Sequence, residues 1–311
     1  MATPPVAGTL GKSGPRSALA LRLRSRDERA MPVLPVPPVL PDPADARLST
    51  SVTGRDENGR AVETRVVTER ALTIYLDDRE IVSAMTIGDH PALMAVGYLC
   101  NQAMIRSADE IAGVDVDDDE GVVVVRTHAR VDVSDKMRRR LRTSGCAQGT
   151  VFADVMADFE RIVLPRGRTV RHSELIELSK RINAVPSLYL EAGAIHGAAL
   201  ACGSEILAFF EDVGRHNAVD KIAGWMLLND VSPDDKTFYT TGRLTSEMVI
   251  KTVMMGLPVL ASRSGFTAWG VDLARRSGLT LIGRMKGRRM VVLSGDERIE
   301  FDRAEIAETA A

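Results

Sequence analysis

The chain has 311 residues, 45% hydrophobic and 26% charged, enough for about two domains with a sizeable core. Forty basic against 42 acidic side chains leave a net charge of −2, so no bulk basic field invites nucleic acid, and 4% aromatics offer few stacking platforms for single strands. No apolar run approaches the about 18–20 residues of a membrane span, and three widely spaced cysteines imply a reducing, cytoplasmic compartment rather than a disulfide scaffold.

Residues 1–48 are proline-rich, above all between Pro32 and Pro43, with scattered arginines. They read as a disordered polyproline leader, a partner-docking arm being the alternative. Residues 49–142 read as a small, mostly-β domain. Short alternating runs over 65–68, 71–76 and 80–86 are strands, with Asp77 and Asp78 as a hairpin turn. Residues 91–101 are a helix with Asp89 as its N-cap. Residues 113–116 and 122–126 form a second hairpin around Asp117, Asp118, Asp119 and Glu120. That acidic run is no calcium loop: counted from Asp115, the sixth place is Glu120 instead of glycine and the twelfth is Arg126 instead of a carboxylate. The charged stretch 132–142 reads as a helix. Residues 143–170 form a mobile, glycine-flanked cysteine loop and a connector, and a helix over 174–183 takes Ser173 as its cap.

Residues 171–311 repeat one unit. Strands over 205–213, 237–241 and 259–262 are each followed by a glycine-bearing turn and a helix, over 218–229, 246–255 and 267–277, and strands over 279–283 and 290–294 close the pattern. Such alternation implies right-handed crossovers and a largely parallel sheet. The fold class is therefore mixed, α+β in the first half and α/β in the second.

In such a sheet, loops leaving the carboxyl ends of the strands share one edge, which faces the ligand crevice. Three of these loops carry an arginine next to a helix start: Arg215, Arg243 and Arg263. Helix amino termini offer free N–H donors, and a guanidinium grips phosphate with two parallel bonds. The set reads as a site for an anion with more than one phosphate; the plainer alternative is that each arginine pairs with a surface carboxylate. Between Asp212 and Lys221, the carboxylates of Asp212 and Asp220 are placed to hold His216 and Lys221, with Asn217 as helix cap and His216 a candidate ligand contact.

The segment around His196 resembles the histidine segment of zinc-dependent deaminases. However, Ala198 stands where their glutamate acts and no cysteine pair follows, so no catalytic zinc or other metal is expected. Cys100 and Cys202 lie in apolar contexts and read as core residues. Cys146 follows Arg138, Arg139, Arg140 and Arg142, whose charge favours the thiolate. A thiolate on a mobile loop suits a covalent sulfur carrier; an unremarkable surface cysteine has the same spacing.

Four strings agree with one family: residues 195–199 (Ile-His-Gly-Ala-Ala), 212–221, 241–251 and 256–264. Over residues 62–293 the chain resembles the FdhD family, the accessory sulfurtransferases required for active formate dehydrogenase. The resemblance implies that the chain takes sulfur from a cysteine desulfurase and passes it to the bis-guanine-dinucleotide molybdenum cofactor, bound as substrate, for the formate dehydrogenase catalytic subunit. It implies a cytoplasmic homodimer whose second half is a cytidine-deaminase-like three-layer domain. It places the persulfide on Cys146 and a cofactor-contacting stretch on Arg284, Met285, Lys286, Gly287, Arg288 and Arg289. Two positions depart from the family pattern: Gly149 replaces the second cysteine of a Cys-x-x-Cys pair, and Arg284 replaces an aromatic. The alternative function is a cofactor-binding chaperone with no covalent persulfide step.

Overall fold

The computed structural model describes residues 38–131, 140–142, 150–164 and 168–302. Among these the chain is a mixed α and β protein with seven α-helices and several sheets. In chain order the first half contains β1 (Ser49–Arg55), β2 (Ala61–Val67), β3 (Arg70–Leu76), β4 (Arg79–Thr86), α1 (Pro91–Asn101), β5 (Ile111–Asp117), β6 (Val122–Thr127), β7 (Arg140–Arg142), β8 (Thr150–Phe152) and α2 (Ala153–Phe159). The second half contains β9 (Val170–Arg171), α3 (His172–Ala184), α4 (Leu188–Ala192), β10 (His196–Cys202), β11 (Glu205–Asp212), α5 (Arg215–Leu228), β12 (Lys236–Thr240), α6 (Ser246–Met254), β13 (Val259–Ser262), α7 (Ala268–Ser277), β14 (Thr280–Lys286), β15 (Arg289–Ser294) and β16 (Ile299–Glu300).

Residues 38–48, assigned to the leader on sequence, lie on the folded body: Val39 bridges the edge of β11 and Leu48 is buried. β1 and β2 form a two-stranded ribbon, and β4-β3-β6-β5 a four-stranded sheet. In β3, Leu72, Ile74 and Leu76 alternate with polar residues and are buried, as a period of two requires. The expected hairpins over 71–86 and 113–126 are present. Residues 140–142, expected in a helix, are instead strand β7, paired with β8; residues 132–139 and the cysteine loop with Cys146 and Gly149 lie outside the described residues.

The six-stranded sheet has the order β11-β10-β12-β13-β14-β15. It is not largely parallel: only the β12–β13 and β13–β14 pairs are parallel. The reason is that β10–β11 and β14–β15 are hairpins, turning at Gly203 and Gly287, whose φ values of 60° and 61° suit glycine. Strand–helix alternation in sequence fixes neither feature. Because β10 runs antiparallel to both β11 and β12, the strands β11, β12, β13 and β14 still share one direction, and their carboxyl ends share one edge.

Three expected caps are corrected. The residue preceding α1 is His90, with no side-chain cap bond; Asp89 instead pairs with the buried Lys221, a stronger claim on a carboxylate than a helix start. Pro91 opens α1, where its missing N–H costs nothing. Ser173 lies inside α3 and bonds Asp302; the boundary residue is Arg171, whose N–H is met by Glu174. Helix α5 begins at Arg215, not Ala218, so Asn217 sits in its first turn and donates to Asp212 and to the Met85 carbonyl.

One apolar cluster unites β3, α1 and β6 with β10, α5 and α6. Helices α1 and α5 touch backbone to backbone at Gly97 and Gly224: a Cβ on Gly97 would lie 1.7 Å from the Asp220 carbonyl oxygen. Polar groups pin both ends of that contact. Lys221, fully buried, reaches Asp212 at 2.6 Å and also Asp89. Asp220 bonds Lys251 at 2.7 Å and accepts from Asn101 at 2.7 Å.

Candidate functional site

At the carboxyl edge of the six-stranded sheet, three apolar strands end on a hydrogen-bonding side chain, and each side chain folds the next turn. Asp212 accepts the Gly214 N–H (3.0 Å), Thr240 the Gly242 N–H (3.1 Å) and Ser262 the Ser264 N–H (2.9 Å). Such short polar groups bond their own backbone two residues on and turn the chain sharply. The turns are laced together: Ser262 Oγ donates to the Gly242 carbonyl at 2.7 Å, and the Arg284 N–H donates to the Ser264 carbonyl at 2.7 Å. The amino end of β10 enters the same edge. Gly197 N–H donates to Thr241 Oγ1 and Thr241 N–H returns a bond to the Gly197 carbonyl, both at 2.9 Å.

These turns bring the three arginines together. Arg215 is buried and lies along Gly242, where a Cβ would stand 3.0 Å from its Cδ. Arg243 is exposed and makes no ion pair or hydrogen bond among the described residues. The Arg263 guanidinium stacks on the Tyr189 ring, 4.5 Å from its centroid. His196 sits among them: burial first, then the charges of Arg215, Arg263 and Arg243, push its pKa below the usual value. The Asp212 charge acts on the same ring in the opposite sense.

His216 projects from the first turn of α5. Its Nε2 lies 3.2 Å from Glu247 Oε2, and the Glu247 side chain is 3% exposed. Burial, followed by Lys251 and Arg215, lowers the His216 pKa well below the ordinary range. The sequence expectation for this stretch holds in part. Asp212 holds Lys221, while Asp220 holds Lys251 and His216 faces Glu247.

The stretch from Arg284 to Arg289 divides. Arg284 is exposed, with a φ of 55°, and is tied by its N–H to the Arg263 loop. Met285 is 6% exposed and packs in the second apolar cluster with Val170, Leu178 and Phe209. Lys286, Gly287, Arg288 and Arg289 are exposed at the β14–β15 hairpin. The thiols outside the loop are poor nucleophiles. Burial pushes Cys100 up to about 11, and burial with the neighbouring Asp235 raises Cys202. Among the described residues no three His, Cys, Asp or Glu side chains stand together as a metal-binding group, and no helix is long and apolar enough to cross a membrane.

Sequence reasoning missed Tyr189, Glu211 and Glu247. Glu247 was open to detection, since an acid one place into a strand-following helix faces the strand-end edge. Tyr189 and Glu211 gave no local signal.

The profile of the FdhD/NarQ family matches residues 67–300, which take in every strand-end turn described above. The chain belongs to the FdhD/NarQ family. Among FdhD relatives, the sulfur carrier protein FdhD of Listeria innocua is 30% identical over 241 residues, covering 76% of this chain and 92% of its own. The sulfur carrier protein FdhD of Geobacillus kaustophilus is 31% identical over 247 residues, covering 78% and 93%. In three dimensions this FdhD/NarQ chain is similar to a crystal structure from Desulfotalea psychrophila described as a formate dehydrogenase accessory protein. That comparison has a TM-score of 0.66 at 27% identity and covers 81% of this chain and 98% of the other.

Proposed function

We propose that this chain is a sulfur carrier for formate dehydrogenase maturation, moving sulfur from a cysteine desulfurase to the bis-guanine-dinucleotide molybdenum cofactor, which it binds as substrate. The observation that carries the reading is the arginine edge. Arg215, Arg243 and Arg263 converge around His196, and Arg243 and Arg263 have no carboxylate partner among the described residues. Guanidinium groups held at strand-end turns suit the phosphates of a dinucleotide arm. The names of the relatives support the sulfur-carrying half. Cys146, outside the described residues, is assigned the persulfide: its thiolate attacks the terminal sulfur of the desulfurase persulfide, a new S–S bond forms, and the desulfurase thiolate leaves. The step is redox-neutral. The arginines preceding Cys146 favour the thiolate it needs. Arg284, Lys286, Arg288 and Arg289 extend the basic surface next to the Arg263 loop. The same reading makes the protein a cytoplasmic homodimer, with residues 171–311 a cytidine-deaminase-like three-layer α/β domain.

Incubation with a cysteine desulfurase and cysteine, followed by mass spectrometry, tests the covalent step. We expect one added sulfur on Cys146, none on the Cys146→Ala variant, and loss of formate dehydrogenase maturation in a strain carrying that variant. A Cys146→Ala strain with full formate dehydrogenase activity would remove the carrier role. One observation favours a second reading, a cofactor-binding chaperone without covalent chemistry: Gly149 leaves the loop without a second thiol. That reading predicts no sulfur on the protein and an active Cys146→Ala strain.

A further inference from the structure

His196 opens β10, half-buried, directly across from Asp212 at the end of β11. Its Nδ1 lies 3.5 Å from Thr241 Oγ1, two residues before Arg243. Arg215 and His216 act on the ring from the start of α5, Arg243 from the turn after β12, and Arg263 from the turn after β13. The two nearest acids are committed elsewhere. Asp212, fully buried, accepts from Thr86, Lys221, the Gly214 N–H and Asn217. Glu211, one residue earlier, accepts the N–H groups of Leu188 and Tyr189, and the Tyr189 ring holds Arg263. Among the described residues the ion-paired histidines are His90 and His216, and His196 has no such partner.

A charged ring here would sit among three guanidinium groups without a counterion of its own. Burial, then Arg215, Arg263 and Arg243, accordingly lower its pKa, and the Asp212 charge offsets them only in part. Above that lowered value the free ring is uncharged. A bound polyanion reverses the balance, because it brings the opposite charge that the imidazolium lacks. We propose that anion binding at the arginine edge draws a proton from solvent onto His196, so that the edge gains a fourth positive group only while it is filled. The proposal rests on the phosphate reading above and adds its regulation. Binding and protonation assist each other by the same factor, so acidification tightens the anion and a rise in pH loosens it.

The test is calorimetric titration of the full chain with diguanosine pyrophosphate, two guanosines joined 5′–5′ through two phosphates. Those esterified phosphates keep one charge state between pH 5.5 and 8, so the probe itself contributes no protons. Each titration is run in two buffers of different ionisation enthalpy, and the difference in heat counts the protons exchanged. We expect net proton uptake by the parent at pH 6.5, and binding about threefold or more tighter at pH 6 than at pH 7.5. His196→Gln, which stays polar and cannot charge, is expected to bind the probe without uptake and without that pH dependence. Binding by the parent without uptake, or uptake that persists in His196→Gln, overturns the proposal and leaves the phosphate site standing. A parent that fails to bind the probe at any pH overturns both. NMR of the parent decides the matter without a variant: the His196 ring must titrate at higher pH with the probe than without it, and an unmoved midpoint overturns the proposal.

Discussion

The helix α5 and its neighbours carry cations in two settings, and the two settings behave differently. Behind the sheet edge, Lys221 and Lys251 are buried and each is matched: Lys221 by Asp212 and Asp89, Lys251 by Asp220. In front, Arg243 and Arg263 stand in the turns that follow strands β12 and β13, with no carboxylate partner among the described residues. Buried charge is expensive unless paired, so the matched lysines belong to the architecture. Positive charge gathered at one edge and not matched by a carboxylate partner raises the local concentration of anions. The residues 212–221 therefore hold two tasks in one string, and charge balance separates them better than spacing does.

The sharpest way to break the comparison is to unbalance the rear. Among the described residues, Asp220→Ala leaves the buried Lys251 with the Tyr98 ring, 5.7 Å from its ammonium, and we expect a loss of about 3–5 kcal/mol in urea unfolding. A loss below about 1 kcal/mol would mean that the pair is not structural in the sense argued here. The converse variant is Arg243→Ala. Removing a charged donor to phosphate is expected to weaken pyrophosphate about tenfold or more, as calorimetry would show. Stability should stay within about 0.5 kcal/mol, because an exposed side chain without partners contributes little to the fold. Equal loss of stability in the two variants would erase the distinction.

The smallest effect is in pH. His90, His196 and His216 all have pKa values below the ordinary 6.5, with burial as the first cause in each. A histidine with a lowered folded pKa binds fewer protons folded than unfolded just below pH 6.5, so stability is full above that pH and falls as the solution is acidified through it. Thermal melts from pH 7.5 to 5.5 should show Tm falling on acidification. His216→Asn should flatten that slope; an unchanged slope would show that His216 charges without cost.

Strand positions in the second half were legible because β11, β12 and β13 are short apolar runs followed by glycine turns, and the arginine edge followed from them. The direction of β10 and β15 was not, since a hairpin and a crossover leave the same apolar pattern in a strand. The caps failed for a physical reason. Asp89 and Asn217 are good cap residues by type, but a buried ammonium and a neighbouring carboxylate offered stronger bonds than a helix start. Tyr189 was illegible because its meaning comes from Arg263 and Glu211, both distant in sequence and joined to it only by the fold.

Val39 has an effect beyond its size. Its N–H donates to the Leu207 carbonyl and its own carbonyl accepts from Phe209, so it occupies part of the outer hydrogen-bonding row of β11. That strand would otherwise be a bare margin of the six-stranded sheet, the kind of template on which another chain can add a strand. A version of the protein shortened to begin at Leu48 would unmask this row and become prone to self-association, even with every residue of the arginine edge intact.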